Sequence, residues 1–382
     1  MTEFREVQAT SDRELLGPLP QFIDLEAGYG VREVKSPTGD LLWLVSDYEL
    51  AKQVLRDTRF SRAEAVKPDA PKVAHAAPSP ESMTSMDGPE HARLRRMVAA
   101  SFSQHGIVSM EPFVLGLTER LLDAMERRGG VVDVATEFAT PLALGVLSEL
   151  LGVPEADREQ FTAWVDVLFD LTVADSADTR SKRLRLVAYM TRLIKAKRRE
   201  PGEGLLSELI QARDNGEALT ERELVHLGLT LLMAGYESTS GQIAMTVAEL
   251  LREPDRFQAL AANPDLAPVL AEEYLRVNPA ASISFPRVAT EDVQLGDVLV
   301  RKGEGLIVSL LEANRNPDAV QHLAFGYGVH LCLGRHLARM QLASALRGLA
   351  RRFPTLRLAP GQAITWKSVE GARGLASLAV TW

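Results

Sequence analysis

The chain has 382 residues, of which 46% are hydrophobic and 25% are charged, and its formal net charge at pH 7 is −8. This composition is typical of a soluble globular protein and excludes a disordered or fibrous chain. The negative charge argues against a nucleic-acid partner. The length suits roughly two or three average domains, or one large enzyme with a single core.

Cys332 is the only cysteine, which excludes an intramolecular disulfide and any zinc or iron–sulfur site built from several cysteines of this chain. A reducing, cytoplasmic location is therefore expected. The opening residues, MTEFREVQAT, lack the basic and then apolar pattern of a secretory signal peptide. The most apolar long stretch, residues 225–248, has Glu237 in its middle, so we expect no membrane span.

In chain order, residues 41–46 predict a strand, residues 47–56 a helix, and the proline- and alanine-rich residues 61–86 a long loop, often a functional feature. Helical patterns follow at residues 89–102, 111–128, 158–171, 179–199, 220–254 and 268–276. Residues 288–310 predict strands interrupted by Gly296, Gly303 and Gly305. Residues 334–353 predict a helix and residues 375–382 a closing strand segment. One mainly α domain spanning residues 1–382, with a small β portion, is the simplest interpretation.

The predicted helix at 220–254 is unusually long, on the order of 45 Å at 1.5 Å per residue. Thr220 and Glu223 have the spacing of a capping box, and Pro254 cannot continue the helix. Its middle is apolar nearly all round, which predicts burial. Gly235 costs roughly 1 kcal/mol relative to alanine there, so it serves either helix packing or a local opening of the helix. Glu237, a charge in this apolar stretch, should be hydrogen-bonded or catalytic.

Cys332 lies in a glycine-rich loop, with Gly326 and Gly328 before it and Gly334 after it, just ahead of a predicted helix. Glycines permit tight turns and the close approach of a flat ligand. A sulfur near a helix N-terminus is stabilised as a thiolate, which suits an axial ligand of haem iron. The alternative is a buried and inert cysteine.

Phe325, Gly328, Cys332 and Gly334 have the spacing F-x-x-G-x-x-x-C-x-G, which resembles the haem-ligand loop of cytochrome P450 enzymes. The resemblance covers nearly the whole chain and is closest to soluble bacterial members. AEEYLR is similar to the family's E-x-x-R motif, AGYEST to its oxygen-binding helix motif, and DGPEHARLRR to a helix with haem-propionate partners.

The resemblance implies a mainly α cytochrome P450 fold with a haem b group between the long helix and the cysteine loop. It implies that Cys332 binds the iron, and that Glu237 and Ser238 deliver protons during oxygen activation. Serine stands where the family usually has threonine, so its hydroxyl is less firmly placed. The remaining expected catalytic residues are Ala234, Gly235 and Thr239. The expected haem contacts are His91, Arg95, Arg287, Phe325, Gly326, His330 and Gly334. Glu273 and Arg276 resemble the core ion pair that supports the cysteine loop.

By the same resemblance, the substrate pocket is mostly apolar, which suits a hydrophobic polyketide, terpenoid or peptide. The chain has no glycine-rich dinucleotide motif, so electrons should come from a ferredoxin or flavodoxin and its NAD(P)H reductase. The predicted docking surface is basic, and a monomer is expected. The expected pocket residues are Met83, Met86, Val165, Leu231, Leu232, Ile283, Phe285 and Leu375. The expected docking residues are Arg93, Arg96, Arg335 and Arg339.

The resemblance implies a monooxygenase, and two alternatives stay open. One is a P450-type enzyme that uses peroxide or couples aromatic rings. The other is a P450-like binding or recruitment module without oxygenation, against which the retained cysteine, acid and hydroxyl argue.

Only six residues, 316–321, separate Arg315 from His322, whereas the family has a longer, meandering segment here. The resemblance therefore implies either a shortened surface beneath the cysteine loop or a loop missing near residues 320 and 321. We favour the missing loop, because a P450 needs this segment to cover its proximal side.

Overall fold

The computed structural model describes residues 19–74, 79–154, 157, 177–214, 219–361, 363–367 and 372–382. The helices are α1 (Tyr48–Arg56), α2 (Arg62–Ala65), α3 (Gly88–Ala99), α4 (Gln104–Val108), α5 (Glu111–Arg128), α6 (Thr140–Leu151), α7 (Ala177–Arg199), α8 (Leu205–Asp214), α9 (Glu221–Arg252), α10 (Pro254–Ala262), α11 (Ala267–Val277), α12 (Leu310–Arg315) and α13 (Arg335–Arg352). The strands are β1 (Val31–Lys35), β2 (Leu41–Val45), β3 (Phe60–Ser61), β4 (Val132–Asp133), β5 (Arg287–Ala289), β6 (Val293–Leu295), β7 (Val298–Val300), β8 (Gly305–Val308), β9 (Arg357–Leu358), β10 (Thr365–Trp366), β11 (Leu375–Ser377) and β12 (Ala379–Thr381).

The long helix α9 is the centre of the helical part. The Thr220 hydroxyl accepts the Glu223 N–H at 3.2 Å, and the Glu223 carboxylate accepts the Thr220 N–H at 2.7 Å, so the predicted capping box is present. Pro254 begins the next helix. Helices α6, α7 and α13 pack around α9, which explains why its sequence is apolar on nearly all sides.

The largest sheet has the strand order β1-β2-β8-β5-β3, in which β2 and β8 run parallel and the other pairs antiparallel. Apolar side chains of this sheet pack with α1 and α12 in a second hydrophobic cluster, separate from the one around α9. Strands β4, β12 and β9 form a three-stranded sheet, while β10 pairs with β11 and β6 with β7. Within the described residues, no helix combines the length and apolar character needed to cross a bilayer.

The predicted elements are largely confirmed, with three differences. The predicted loop at 61–86 contains α2 and a turn of 3-10 helix at Met83–Ser85, because Ser61 and Ser82 each cap a short turn. The elements that were not predicted are helices α4, α6, α8, α10 and α12 and strands β1, β3, β4, β9 and β10. The helix expected at residues 158–171 lies outside the described residues.

The short segment between Arg315 and His322 packs against α1. The Tyr48 hydroxyl donates to the Gln321 carbonyl at 2.8 Å and accepts the Gln321 N–H at 3.2 Å, which fixes the segment against α1. Val320 beside it is almost fully exposed. The missing loop near residues 320 and 321 stays a prediction.

Candidate functional site

The loop that carries Cys332 is held by its own backbone. The Cys332 N–H donates to the Phe325 carbonyl at 2.9 Å, and the Gly326 N–H donates to the Leu323 carbonyl at 2.7 Å. Gly328 has a φ of +71°, and a Cβ on it would lie 2.8 Å from the Leu55 carbonyl oxygen. Only glycine therefore allows the loop to lie against the end of α1.

The Cys332 thiol is deep in the protein and yet accessible. The Cys332 side chain has exposed surface. It is nevertheless surrounded by protein atoms, and this burial is the main reason that the pKa of the thiol is raised. Both observations hold if the sulfur faces an internal space. Burial is the larger effect and raises the pKa of Cys332, while the Gly334 N–H at the helix start and the charge of Arg95 lower it, as expected for a sulfur at this position. Such a thiol is deprotonated when a metal ion binds it.

A clamp of side chains holds the loop from beneath. The Glu272 carboxylate accepts from the Arg339 guanidinium at 2.5 and 2.9 Å, and it lies 3.1 Å from His322 Nε2. Arg339 also lies over the Phe325 ring, 4.5 Å from its centre. Burial raises the pKa of Glu272, but the hydrogen bonds from His322 and Arg339 outweigh this and lower it to about 2. The clamp joins α11, α13 and the loop.

The Glu273–Arg276 ion pair, expected on one face of a helix, is present at 2.7 Å on α11. Arg276 also donates to the Asn314 carbonyl at 3.2 Å. The Asn314 side-chain oxygen accepts the Leu323 N–H at the start of the cysteine loop. The pair is thus connected to the loop through α12.

The expected cofactor contacts come together as a cluster of basic side chains. The His91 and His330 rings lie 4.2 Å apart, and Arg95 donates to the carbonyl of Leu331, the residue before Cys332. Arg287 is buried, and within the described residues its guanidinium makes only long contacts, of 3.4 and 3.5 Å, to two carbonyl oxygens. Burial lowers the pKa of Arg287 to about 10.

Arg62 belongs to the same cluster and was missed by the sequence analysis. Its side chain is 8% exposed, it donates to the Thr84 carbonyl at 3.2 Å, and it lies over the Phe285 ring. Among the described residues, its Nε has no hydrogen-bond partner. Burial and the neighbouring Arg287 lower the pKa of Arg62 well below its ordinary value. The local signal, a single arginine after a strand, is too weak to reveal this role.

Asp87 supplies negative charge to this cluster, but its carboxylate already accepts hydrogen bonds from other groups. It accepts from the Ser61 hydroxyl at 2.6 Å and the Ala63 N–H at 2.9 Å, and it lies 3.6 Å from His330 Nε2. That nitrogen is buried and has no hydrogen-bond partner in the described chain. Burial lowers the pKa of His330 to about 4, despite the opposing effect of Asp87.

The basic cluster therefore holds more positive charge than one carboxylate can balance. Buried cations are costly unless they are paired, so this arrangement fits an anionic ligand. The accessible thiol of Cys332, two residues after His330, could bind a metal ion that is part of the same ligand. The two carboxylates and the iron of a haem match both features.

One face of α9 is accessible although the rest of the helix is buried. Ala234 is exposed and Ser238, one turn later, is partly exposed, while Glu237 and Thr239 are buried. The Ser238 hydroxyl donates to the Ala234 carbonyl at 2.8 Å. This face could meet a ligand.

Helix α9 continues unbroken through Gly235, so the expected local opening there is not present. A Cβ on Gly235 would lie 2.7 Å from Leu147 Cδ2. The glycine instead lets α6 pack closely against α9, which is the packing interpretation of this residue.

The expected pocket residues divide by exposure. Met86 and Ile283 are partly exposed and Phe285 is 46% exposed, so these three can line a space. Met83 and Leu231 are buried. Two further residues, Leu232 and Leu375, are 0% and 2% exposed because they pack in the main core, and they line no accessible space in this structure. Val165 lies outside the described residues.

The expected docking arginines are only partly available. Arg93 pairs with Glu223, and Arg339 belongs to the clamp. Arg96 is exposed, and Arg335, which is partly exposed, donates to the Cys332 carbonyl at 3.3 Å. These last two carry the basic character of the surface beside the cysteine loop.

Comparisons with known proteins identify the relatives of this chain. The cytochrome P450 family model matches residues 154–267. Nocardicin C N-oxygenase from Nocardia uniformis subsp. tsuyamanensis is 40% identical over 386 residues, covering 95% of this chain and 97% of that protein. Mycinamicin IV hydroxylase/epoxidase from Micromonospora griseorubida is 38% identical, with 94% of each chain covered. The crystal structure of the LnmA cytochrome P450 hydroxylase from the leinamycin biosynthetic pathway of Streptomyces atroolivaceus superposes with a TM-score of 0.86 at 35% identity, covering 98% of this chain and 99% of that one.

Proposed function

The chain belongs to the cytochrome P450 family of monooxygenases, and we propose that it holds haem b with Cys332 and the basic cluster to oxidise a hydrophobic secondary metabolite. When bound, the haem supplies the activation of O₂ from which one oxygen atom passes to the substrate. The observation that carries the proposal is the accessible thiol of Cys332 next to buried cations that one carboxylate does not balance.

Cys332 binds the iron as a thiolate, because a metal ion replaces the proton that burial otherwise holds on the sulfur. His91, Arg95, Arg287 and His330 pair with the two haem carboxylates. Arg62 joins them, since its buried guanidinium also needs an anion.

Ser238, on the accessible face of α9, and the buried Glu237 beside it move protons. The Ser238 hydroxyl donates to a backbone carbonyl, so its oxygen can accept a hydrogen bond from water or ligand. Glu237 is the neighbouring carboxyl group that can supply the proton. Serine lacks the methyl group that restricts threonine, so this hydroxyl can rotate between partners.

The substrate lies against Met86, Ile283 and Phe285, the accessible apolar side chains. Two relatives are named for an N-oxygenation of nocardicin C and a hydroxylation or epoxidation of mycinamicin IV. Hydroxylation or epoxidation of a hydrophobic secondary metabolite is therefore the reaction that we propose here.

Electrons come from a ferredoxin or flavodoxin and its NAD(P)H reductase, in the cytoplasm, to a monomeric enzyme. The exposed Arg96 and the partly exposed Arg335 support docking of an acidic protein beside the cysteine loop. A fall in the rate of haem reduction with rising salt is the expected sign of this contact.

The test is a reaction of the haem-loaded enzyme with ferredoxin, its reductase, NADPH and ¹⁸O₂. Ligands are first chosen from a metabolite library by the shift that they cause in the haem absorption spectrum. We expect a product that contains one ¹⁸O atom. A dehydrogenated or ring-coupled product without label would favour the coupling alternative, and no ligand-dependent NADPH consumption would favour the binding module.

A further inference from the structure

Asp87 is the last residue before α3, and its carboxylate connects three parts of the basic cluster. Oδ2 accepts the Ser61 hydroxyl at 2.6 Å and the Ala63 N–H at 2.9 Å, both at the start of α2. Oδ1 faces the cysteine loop and lies 3.6 Å from His330 Nε2. The two oxygens of one carboxylate are therefore divided between α2 and the loop.

The side chain of Asp87 does not serve its own helix. An aspartate just before a helix usually accepts an N–H of the first turn, which stabilises that helix. The Asp87 carbonyl accepts the His91 N–H at 3.4 Å, so the backbone begins α3 in the ordinary way. Residues 79–154 are all described, and within them the carboxylate makes no hydrogen bond to α3. This loss of a cap indicates that the carboxylate has another role.

Each of the three connected parts carries a basic side chain of the cluster. Arg62 is the first residue of α2 and precedes Ala63, whose N–H bonds Asp87. His91 lies on α3, and His330 lies in the cysteine loop. A movement of any one part relative to the others would change the spacing of these side chains.

The charge of Asp87 acts on the same side chains. Burial raises the pKa of Asp87, but its hydrogen-bond donors and His330 outweigh this and hold the pKa well below its ordinary value, so the carboxylate is charged. Burial lowers the pKa of four basic groups, and Asp87 opposes this shift in each of them. The four are Arg62, His91, Arg287 and His330.

We propose that Asp87 is a positioning residue that fixes α2, α3 and the cysteine loop relative to one another, and so holds Arg62 and His330 where both meet the haem carboxylates. The inference rests on the proposed function, which assigns these side chains to the haem. A carboxylate repels the haem carboxylates, so Asp87 acts through its neighbours and not by contact with the haem.

The first test measures haem transfer from the haem-loaded enzyme to apomyoglobin. Asp87→Ala removes both connections, and we expect transfer to become about tenfold faster, as when a residue that orients a ligand-binding side chain is lost. Asp87→Asn keeps an oxygen for Ser61 and Ala63 but removes the charge beside His330. Its transfer rate should lie between those of wild type and Asp87→Ala.

The reduction potential of the haem iron is a second measurement, which a general loss of stability does not move. A negative charge near the haem favours the ferric state, and displaced cations favour it further. Both Asp87→Ala and Asp87→Asn change these charges, and the loss of the nearby carboxylate should raise the potential.

Asp133→Ala is the matched control. Asp133 also accepts a serine hydroxyl, that of Ser377 at 2.5 Å, and a backbone N–H, that of Ala135 at 2.9 Å, but it lies outside the basic cluster. Asp133→Ala should lower the denaturant midpoint of the haem-free protein about as much as Asp87→Ala does. It should leave haem transfer and the reduction potential unchanged.

A double variant tests whether Asp87 acts through Arg62. In the Arg62→Met background, Asp87→Ala should accelerate haem transfer less than it does in wild type, because one of the side chains that it positions is already lost.

Equal rates of haem transfer in Asp87→Ala and Asp133→Ala would overturn the inference, and so would effects of Asp87→Ala and Arg62→Met that simply add. An unchanged reduction potential in both Asp87 variants would overturn it as well. These results leave the proposed function standing, because they concern variants of an enzyme that holds haem. A wild-type protein that retains no haem would overturn the proposed function and this inference with it.

Discussion

Arg62 buries a guanidinium that has no carboxylate within ion-pair distance in the described part of the chain, and only Asp87 offsets its charge. Without an anionic ligand, such a charge destabilises the fold. We expect Arg62→Met to raise the melting temperature of the haem-free protein. The same change should accelerate haem transfer to apomyoglobin about tenfold, because a haem carboxylate loses a charged partner.

Arg62→Lys serves as the control, because it keeps a cation near the haem carboxylates and should transfer haem at close to the wild-type rate. If Arg62→Met lowers the melting temperature of the haem-free protein and leaves haem transfer unchanged, Arg62 is a structural residue of α2 and no haem partner.

Ser238 carries a hydroxyl on the accessible face of α9. We expect Ser238→Ala to retain haem but to pass fewer of its electrons from NADPH into product. With the hydroxyl that relays the proton gone, product formed per NADPH should fall about tenfold and hydrogen peroxide should rise. The measurement is the yield of product and peroxide against NADPH consumed. Ser240→Ala removes a buried hydroxyl that bonds the Glu237 carbonyl at 3.3 Å, and it should leave the yields unchanged. Equal yields in wild type and Ser238→Ala would place proton delivery elsewhere.

At the scale of elements, the contact between α9 and the segment at residues 373 and 374 depends on Gly241. Alanine favours a helix by up to about 1 kcal/mol, so Gly116→Ala on α5, where a Cβ meets only the end of the Arg120 side chain, should stabilise the protein slightly. Gly241→Ala should instead cost about 1–3 kcal/mol, since the Cβ would lie 2.4 Å from a backbone oxygen. Denaturant midpoints of the two variants measure this difference. A midpoint for Gly241→Ala at or above that of wild type would mean that the contact is not present.

The stability that Glu272 contributes through the clamp beneath the cysteine loop depends on pH. The folded-state pKa of Glu272 is about 2, below its ordinary 4.5, so its stabilising effect is complete above pH 4.5 and is lost as the pH falls toward 2. The side chain is 44% exposed, so screening reduces the effect to about 1 kcal/mol. Glu272→Gln should therefore unfold at lower denaturant than wild type at pH 7, with a smaller difference at pH 3.5. A difference that stays constant between these pH values would exclude a charge effect.

For the whole molecule, the sequence predicts those features that rest on local patterns. The capping box, the glycine loop around Cys332 and the strands of residues 288–310 are patterns of adjacent residues, and each is present. Helix α6 was missed because it is buried on most sides and lacks an amphipathic period. Arg62, the packing of Gly235 and the raised pKa of Cys332 depend on burial by distant segments, which no local pattern reports.

The central claim is that Cys332 binds a haem iron as a thiolate, and the absorption spectrum of the reduced carbon monoxide complex tests it most directly. The haem-loaded wild type should give the red-shifted Soret band that is characteristic of thiolate ligation. Cys332→His should retain haem but lose this band, because imidazole is a weaker electron donor. A wild-type complex without the band, or a variant that keeps it, would contradict the assignment of Cys332 and the function built on it.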